Sequence, residues 1–174
     1  VWTVGHSTRS LAELAALVRA HVVTLIADVR RIPRSRRHPH FDGETLPATL
    51  AEHGLGYVHL PGLGGLRRAR PDSINRGWRN PSFRGYADYM QTGEFADELR
   101  RLRALGDQHR VAIMCAEAVW WRCHRSLVAD ALVAGGEPVL HIVTPRRAEP
   151  HALRDFARVD AGTVTYPGEP ELFD

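Results

Sequence analysis

Residues able to do chemistry concentrate in one stretch, "VAIMCAEAVWWRCHRSLVADAL", from Val111 onward. It holds both cysteines of the chain, Cys115 and Cys123, with Glu117, Trp120, Trp121 and Arg122 between them and His124 and Arg125 directly after. Four kinds of chemistry fit this pattern. Cys123, at the start of a predicted helix, would gain acidity from unpaired backbone N–H groups and act as a nucleophile; it serves equally well as a small buried apolar residue. Cys115, Cys123 and His124, joined by His6 or Glu117, would offer thiolate and imidazole ligands to a metal or haem. Against that, C-x7-C-H matches no compact zinc clip, and adjacent side chains on a helix diverge by about 100°. Rhodanese-like or phosphatase-like thiol catalysis at Cys115 would need a tight anion cradle, whereas the loop to Arg122 is longer and Glu117 opposes an anion. Lastly, Glu117 and Asp28 are candidate acid/base groups or contacts to a base edge, or else ion-pair partners of Arg30, Arg122 or Arg125.

These residues need elements to position them, and the pattern along the chain supplies a series. "VWTV" predicts a strand, "GHSTRS" a loop, and "LAELAALVRA" a helix with Ser10 and Glu13 as a capping box. "VVTLIADVR" reads as a strand buried on both faces, "ETLPATLAEH" as a helix stopped by Gly54, and "LGYVHL" as a strand. "SFRGYADYMQTGEFADELRRLRAL" predicts one or two helices broken near Gly93, with Phe83, Tyr86, Ala87 and Met90 on one side. "RVAIMC" is a strand, "CHRSLVADALVAGG" a helix ended by Gly135, "PVLHIV" a strand, and "EPHALRDFARV" a short helix before a last strand in "TVTYP". Strand–helix alternation of this kind predicts one α/β domain over residues 1–174, a three-layer sandwich on a mostly parallel sheet, loosely rhodanese-like or flavodoxin-like in layout. Ligands of such sheets bind beyond the carboxyl ends of the strands. That rim would carry Gly5, His6, Ser7, Asp28, Arg30, His59, Cys115, Glu117 and His141 or Thr144.

Composition adds a partner class. All 23 basic residues are arginine, which compositional bias of the source alone would produce. Two clusters, residues 30–37 and 66–80, nevertheless present planar forks suited to phosphate or carboxylate. Aromatic residues near them, including Trp78, Phe83, Tyr86 and Trp120, would stack on a base, although the spacing around Tyr86 also suits a core. Of Trp120 and Trp121, at least one is expected at the surface. Residues 61–81, rich in Gly and Arg, form a long loop expected to be a lid or a binding arm. With two cysteines, no leader pattern and no apolar run long enough to span a bilayer, a cytoplasmic protein that does not enter the membrane is expected.

In order, "TVGHSTRS", "DVRRIPRSRRHPHF", "YVHLPGLGG", "YADYMQTGEF", "MCAEAVWWRCHRSLVADALV" and "HI" resemble the family described as domain of unknown function 488. The likeness runs over about residues 1–167. Its recurrent motifs correspond to Gly5, His6, Ser7, Asp28, Arg30, Pro33, Ser35, Arg36, Tyr57, Leu63, Gly64, Gly65, Cys115, Glu117, Cys123, His124 and Arg125. The resemblance brings no settled reaction; it implies a link to nucleic-acid metabolism.

The expectation is therefore a small enzyme acting on a nucleotide or nucleic acid by a hydrolytic or base-processing reaction. Glu117, Asp28, His6 and Cys115 are its candidate catalytic residues. Ser7, Arg30, Ser35, Arg36, Tyr57, Trp120, Cys123, His124 and Arg125 are its candidate binding residues. No cofactor is expected, with a metal or haem on Cys115, Cys123 and His124 left open, and the oligomeric state is open too. A nucleic-acid-binding module without catalysis, a metal or haem protein and a rhodanese-like thiol enzyme are the alternatives.

Overall fold

Apolar runs of four or five residues, too short for helices, become the strands of one sheet. The computed structural model describes residues 1–34 and 36–168. Five strands are parallel: β1 (Trp2–Gly5), β2 (Leu25–Asp28), β3 (Gly56–His59), β4 (Val111–Cys115) and β5 (Leu140–Thr144). A sixth, β6 (Arg147–Pro150), runs antiparallel to β5, and the order is β3-β2-β4-β1-β5-β6. Alternation of side chains along the strands feeds two cores. Ile26, Ala112, Met114 and Val4 pack under α1 (Leu11–Ala20) and α2 (Leu46–Glu52) through Leu14, Val18, Leu46 and Leu50. Leu25, Ala27, Val111 and Ile113 face the other way, against α3 (Pro81–Tyr89), α4 (Gly93–Gln108) and α5 (Arg125–Ala134) through Tyr86, Phe95, Leu102, Leu127 and Leu132. This is a three-layer α/β sandwich.

Local signals set the element ends. The Ser10 hydroxyl accepts from the Glu13 N–H at 3.2 Å while the Glu13 carboxylate accepts from the Ser10 N–H at 2.6 Å, the reciprocal capping box. Asn80 caps α3 ahead of Pro81, and Thr92 caps α4, so the expected break falls just before Gly93.

The tail departs from expectation. No helix forms over residues 149–159: β6 ends at Pro150, residues 151–157 are turn and irregular backbone, and a separate hairpin of β7 (Arg158–Asp160) and β8 (Thr163–Thr165) follows. The reason lies in the interior. The His151 N–H donates to the Val139 carbonyl at 2.8 Å, which keeps the backbone extended, and its ring is drawn between His141 (2.9 Å) and Asp130 (2.7 Å). His141 is likewise not on the rim: it pairs in register with Thr3, low in the sheet, and is 1% exposed.

Residues 61–81 are fastened rather than loose. One buried carboxylate, Asp88 of α3, accepts from the Arg70 backbone N–H, the Ser73 hydroxyl and the Asn75 amide at 2.6–2.8 Å. Asn75 in turn accepts from the Tyr166 N–H.

Candidate functional site

The connections out of β1 and β2 run through α1 and α2 on one face of the sheet, whereas that out of β4 runs through α5 on the other. Because β4 lies between β2 and β1, its exit loop parts from both neighbours, and a crevice opens at this switch point. A cleft of about 870 Å³ occupies it. His6 and Ser7 after β1, Arg30 and Arg31 after β2, and Cys115 at the end of β4 with Ala116 to Ala118 behind it line it, together with Arg122, Cys123 and His124. The far wall comes from Gly65, Leu66, Asn80, Ser82, Phe83 and Tyr86.

Backbone contacts fix the floor. The N–H groups of His6 and Ser7 donate to the carbonyls of Cys115 and Ala116 at 2.9 and 3.0 Å, extending the β1–β4 ladder past the strand ends. Gly5 is needed there because the Glu117 backbone crosses directly over it. Ser7 takes a left-handed conformation, φ 50°, a strained choice for a residue with a side chain.

Cys115, Cys123 and His124 meet on this floor, their Sγ, Sγ and one ring nitrogen all within 4.8 Å of one another. Cys123 is extended (φ −123°, ψ 147°), so it precedes the helical spacing and the expected divergence from His124 does not arise. Its Sγ is 3.7 Å from His124 Nδ1 and accepts from Arg125 Nε at 3.4 Å. Interaction with Cys115, with help from His124 and Arg125, makes the Cys123 thiol acidic; Cys123 and burial push the Cys115 thiol up.

The family model described as Domain of unknown function DUF488 matches residues 10–132. The chain belongs to the DUF488 family. No curated protein and no solved structure matches it. The DUF488 span takes in Asp28, Arg30, the floor cysteines, His124 and Arg125, whereas His6 and Ser7 lie just before it. No described helix is long and apolar enough to cross a membrane.

Other candidates have different places. His6 is buried against Phe41, ring centroids 4.0 Å apart, and lies 3.4 Å from Arg30. Burial above all lowers its pKa to about 4, so the ring is neutral. Asp28 does not line the cleft: its carboxylate is 0% exposed and accepts from the Arg30 guanidinium in three bonds, from the Arg30 backbone N–H at 3.0 Å and from the Tyr57 hydroxyl at 3.0 Å. Asp28 and Tyr57 therefore hold Arg30 rather than meet a ligand. Arg125, 1% exposed, also lies outside the lining; it donates to Cys123 Sγ and the Glu117 carbonyl. Glu117 faces the cleft with an exposed side chain that accepts from the Val119 N–H at 3.0 Å.

Trp120 is drawn away from the cleft, stacked 3.8 Å from His141, and Trp121 is 55% exposed. Arg36 is exposed outside the lining, and Ser35 is outside the described residues.

Sequence reasoning did not single out Arg31, Arg34 or Gly65 as lining this cleft. Membership of the arginine cluster and of the LGG motif was the available signal for these three, while Phe83, expected to stack on a base, does line the cleft. Sequence reasoning also missed the buried chain Thr3–His141–His151–Asp130, whose members lie in four separate elements and connections.

Proposed function

We propose that this DUF488 protein is an enzyme acting on a phosphate- or nucleobase-bearing substrate in the cleft, by a hydrolytic or base-processing reaction. One observation carries the reading: the thiol and imidazole groups of Cys115, Cys123 and His124 form the floor of a cleft walled by Arg30, Arg31, Arg34 and Arg122. Glu117 is the only carboxylate among the described lining residues, so the cleft favours an anion. Its volume is in the range of small-molecule sites. Phe83, with the exposed aliphatic residues Ile32 and Leu66, offers flat and apolar surface to a base. Two free thiols suit a reducing compartment such as the cytoplasm.

Titration calorimetry at fixed salt with nucleoside monophosphates, short single-stranded oligonucleotides and inorganic phosphate tests the reading. A nucleotide or oligonucleotide binds more tightly than phosphate, and Arg122→Ala weakens it roughly ten- to a hundredfold. Cys123→Ser retains binding and loses turnover of the ligand so found. If nothing in the panel binds better than phosphate, the reading fails.

A non-catalytic nucleic-acid-binding module is the second reading, favoured by the exposed Arg36 and Arg37. Affinity that falls steeply with salt and ignores Glu117→Gln and Cys123→Ser would select it.

A further inference from the structure

We propose that Cys115 Sγ, Cys123 Sγ and His124 Nδ1 bind a zinc ion at the floor of the cleft. The inference rests on the reading of that cleft as an active site and names the group that would do its chemistry.

Geometry is the first support. Tetrahedral zinc, with Zn–S near 2.3 Å and Zn–N near 2.0 Å, needs ligand atoms about 3.5–3.8 Å apart. Here the three donors lie within 4.8 Å of one another, and the Cys123–His124 pair is at 3.7 Å. Small rotations of side chains would close the set.

The imidazole is also prepared for such a role. Its Nε2 sits 3.2 Å from the Val29 carbonyl oxygen, an acceptor only, so the proton belongs on Nε2 and the Nδ1 lone pair is directed toward the sulfurs. A backbone carbonyl behind the ring is the usual outer partner of a ligating histidine. Gly65 contributes by what it lacks. A methyl group there would stand 2.9 Å from His124 Nδ1 and 3.3 and 3.5 Å from the ring carbons beside it, over the face of the ring, so glycine makes room for the imidazole to take this position.

Charge is the third support. Two thiolates and a zinc ion sum to zero, and Arg125 Nε already donates to the Cys123 sulfur, as the hydrogen-bond donors behind metal-bound ligands do. Borderline-soft thiolate and imidazole ligands select zinc over magnesium or calcium. Sequence spacing argued against a metal because a helical Cys123 and His124 would diverge; the extended backbone of Cys123 removes that objection.

All three ligands line the cleft, so a fourth ligand would come from solvent or substrate, the pattern of catalytic rather than structural zinc. Zinc lowers the pKa of a bound water to about 7, and Glu117 is the carboxylate placed in the cleft to accept its proton. The competing use of the same atoms is a redox couple in which Cys115 and Cys123 form a disulfide.

The test uses the full chain, reduced, stripped with chelator, and titrated with Zn(II) or Co(II) alone. Zinc binds stoichiometrically by elemental analysis after gel filtration. Co(II) gives a thiolate-to-metal charge-transfer band with the intense visible bands of a tetrahedral site. Cys115→Ser and His124→Gln each abolish stoichiometric zinc binding while circular dichroism stays native. Should either variant unfold, the Co(II) spectrum of the unaltered chain decides alone. Absence of the charge-transfer band, or binding unaffected in both folded variants, overturns the proposal. So does a Cys115–Cys123 disulfide in protein whose reduced form takes up no metal. None of these readouts needs a substrate, so a metal site could stand with no nucleotide bound, and the reverse.

Discussion

A methyl group on Gly5 would lie 2.0 Å from the Glu117 carbonyl oxygen, and that oxygen accepts from the buried Arg125 guanidinium. The contact is backbone on backbone, so no side chain can swing aside. Gly5→Ala is expected to cost about 1–3 kcal/mol, the usual penalty of overpacking, and to lift the residues after Cys115 off the end of β1. Urea denaturation should show a lower midpoint, with weakened binding of whatever ligand the cleft takes; an unchanged midpoint would refute this account of Gly5. Arg125 belongs to the same small assembly. Its place under the loop, touching Cys123 Sγ and the Glu117 carbonyl, makes it a support for the site, whereas its position in the sequence had suggested a hand held out to an anion.

Among the elements, the connection from β3 to α3 depends most on a single group. Arg70, Ser73 and Asn75 all donate to Asp88, and Gly65, Leu66 and Asn80 of the same connection line the cleft. Asp88→Ala leaves these donors without their acceptor, at about 1–3 kcal/mol for each that stays buried. Limited proteolysis should then cut within residues 66–80 at a protease concentration that spares the unaltered chain; an identical cleavage pattern would count against the anchoring role. This anchor was illegible in the sequence, because an aspartate in the last turn of an amphipathic helix looks like an ordinary surface residue. Caps were legible, Ser10 and Glu13 above all, since their partners lie three residues away. Strand ends were legible too, and they led to His6, Arg30 and Cys115. What could not be read was the backbone of Cys123: an extended residue just before a helix and a helical one have the same sequence, yet only the former brings Cys123 and His124 together. The helix expected over residues 149–159 failed for a related reason, its histidine being claimed by partners 10 and 21 positions away.

Across the molecule, two buried imidazoles tie stability to pH. Burial, ahead of any other cause, lowers His6 to about 4 and His141 to about 3, from 6.5 in an unfolded chain. His141 is also faced by His151, Arg125 and Arg154, whose charges act in the same direction, and His6 by Arg30, Asp28 and His38. Both rings stay neutral in the fold while the unfolded chain takes up protons, so stability falls as pH drops below about 6.5, until the folded values are reached. Urea midpoints measured between about pH 7.5 and pH 5 should decline, and His141→Gln should flatten the decline; a midpoint that rises on acidification would contradict the assignment. The strand order carries a different consequence, in time. β1 and β2 both border β4, which follows β2 by some 80 residues, roughly 4–16 s of synthesis at about 5–20 residues per second. Throughout that interval each has an inner edge without its partner, the kind of edge that invites pairing with another chain. Newborn chains of this protein are thus expected to need shelter until β4 emerges, and the cleft to be among the last parts of the molecule to form.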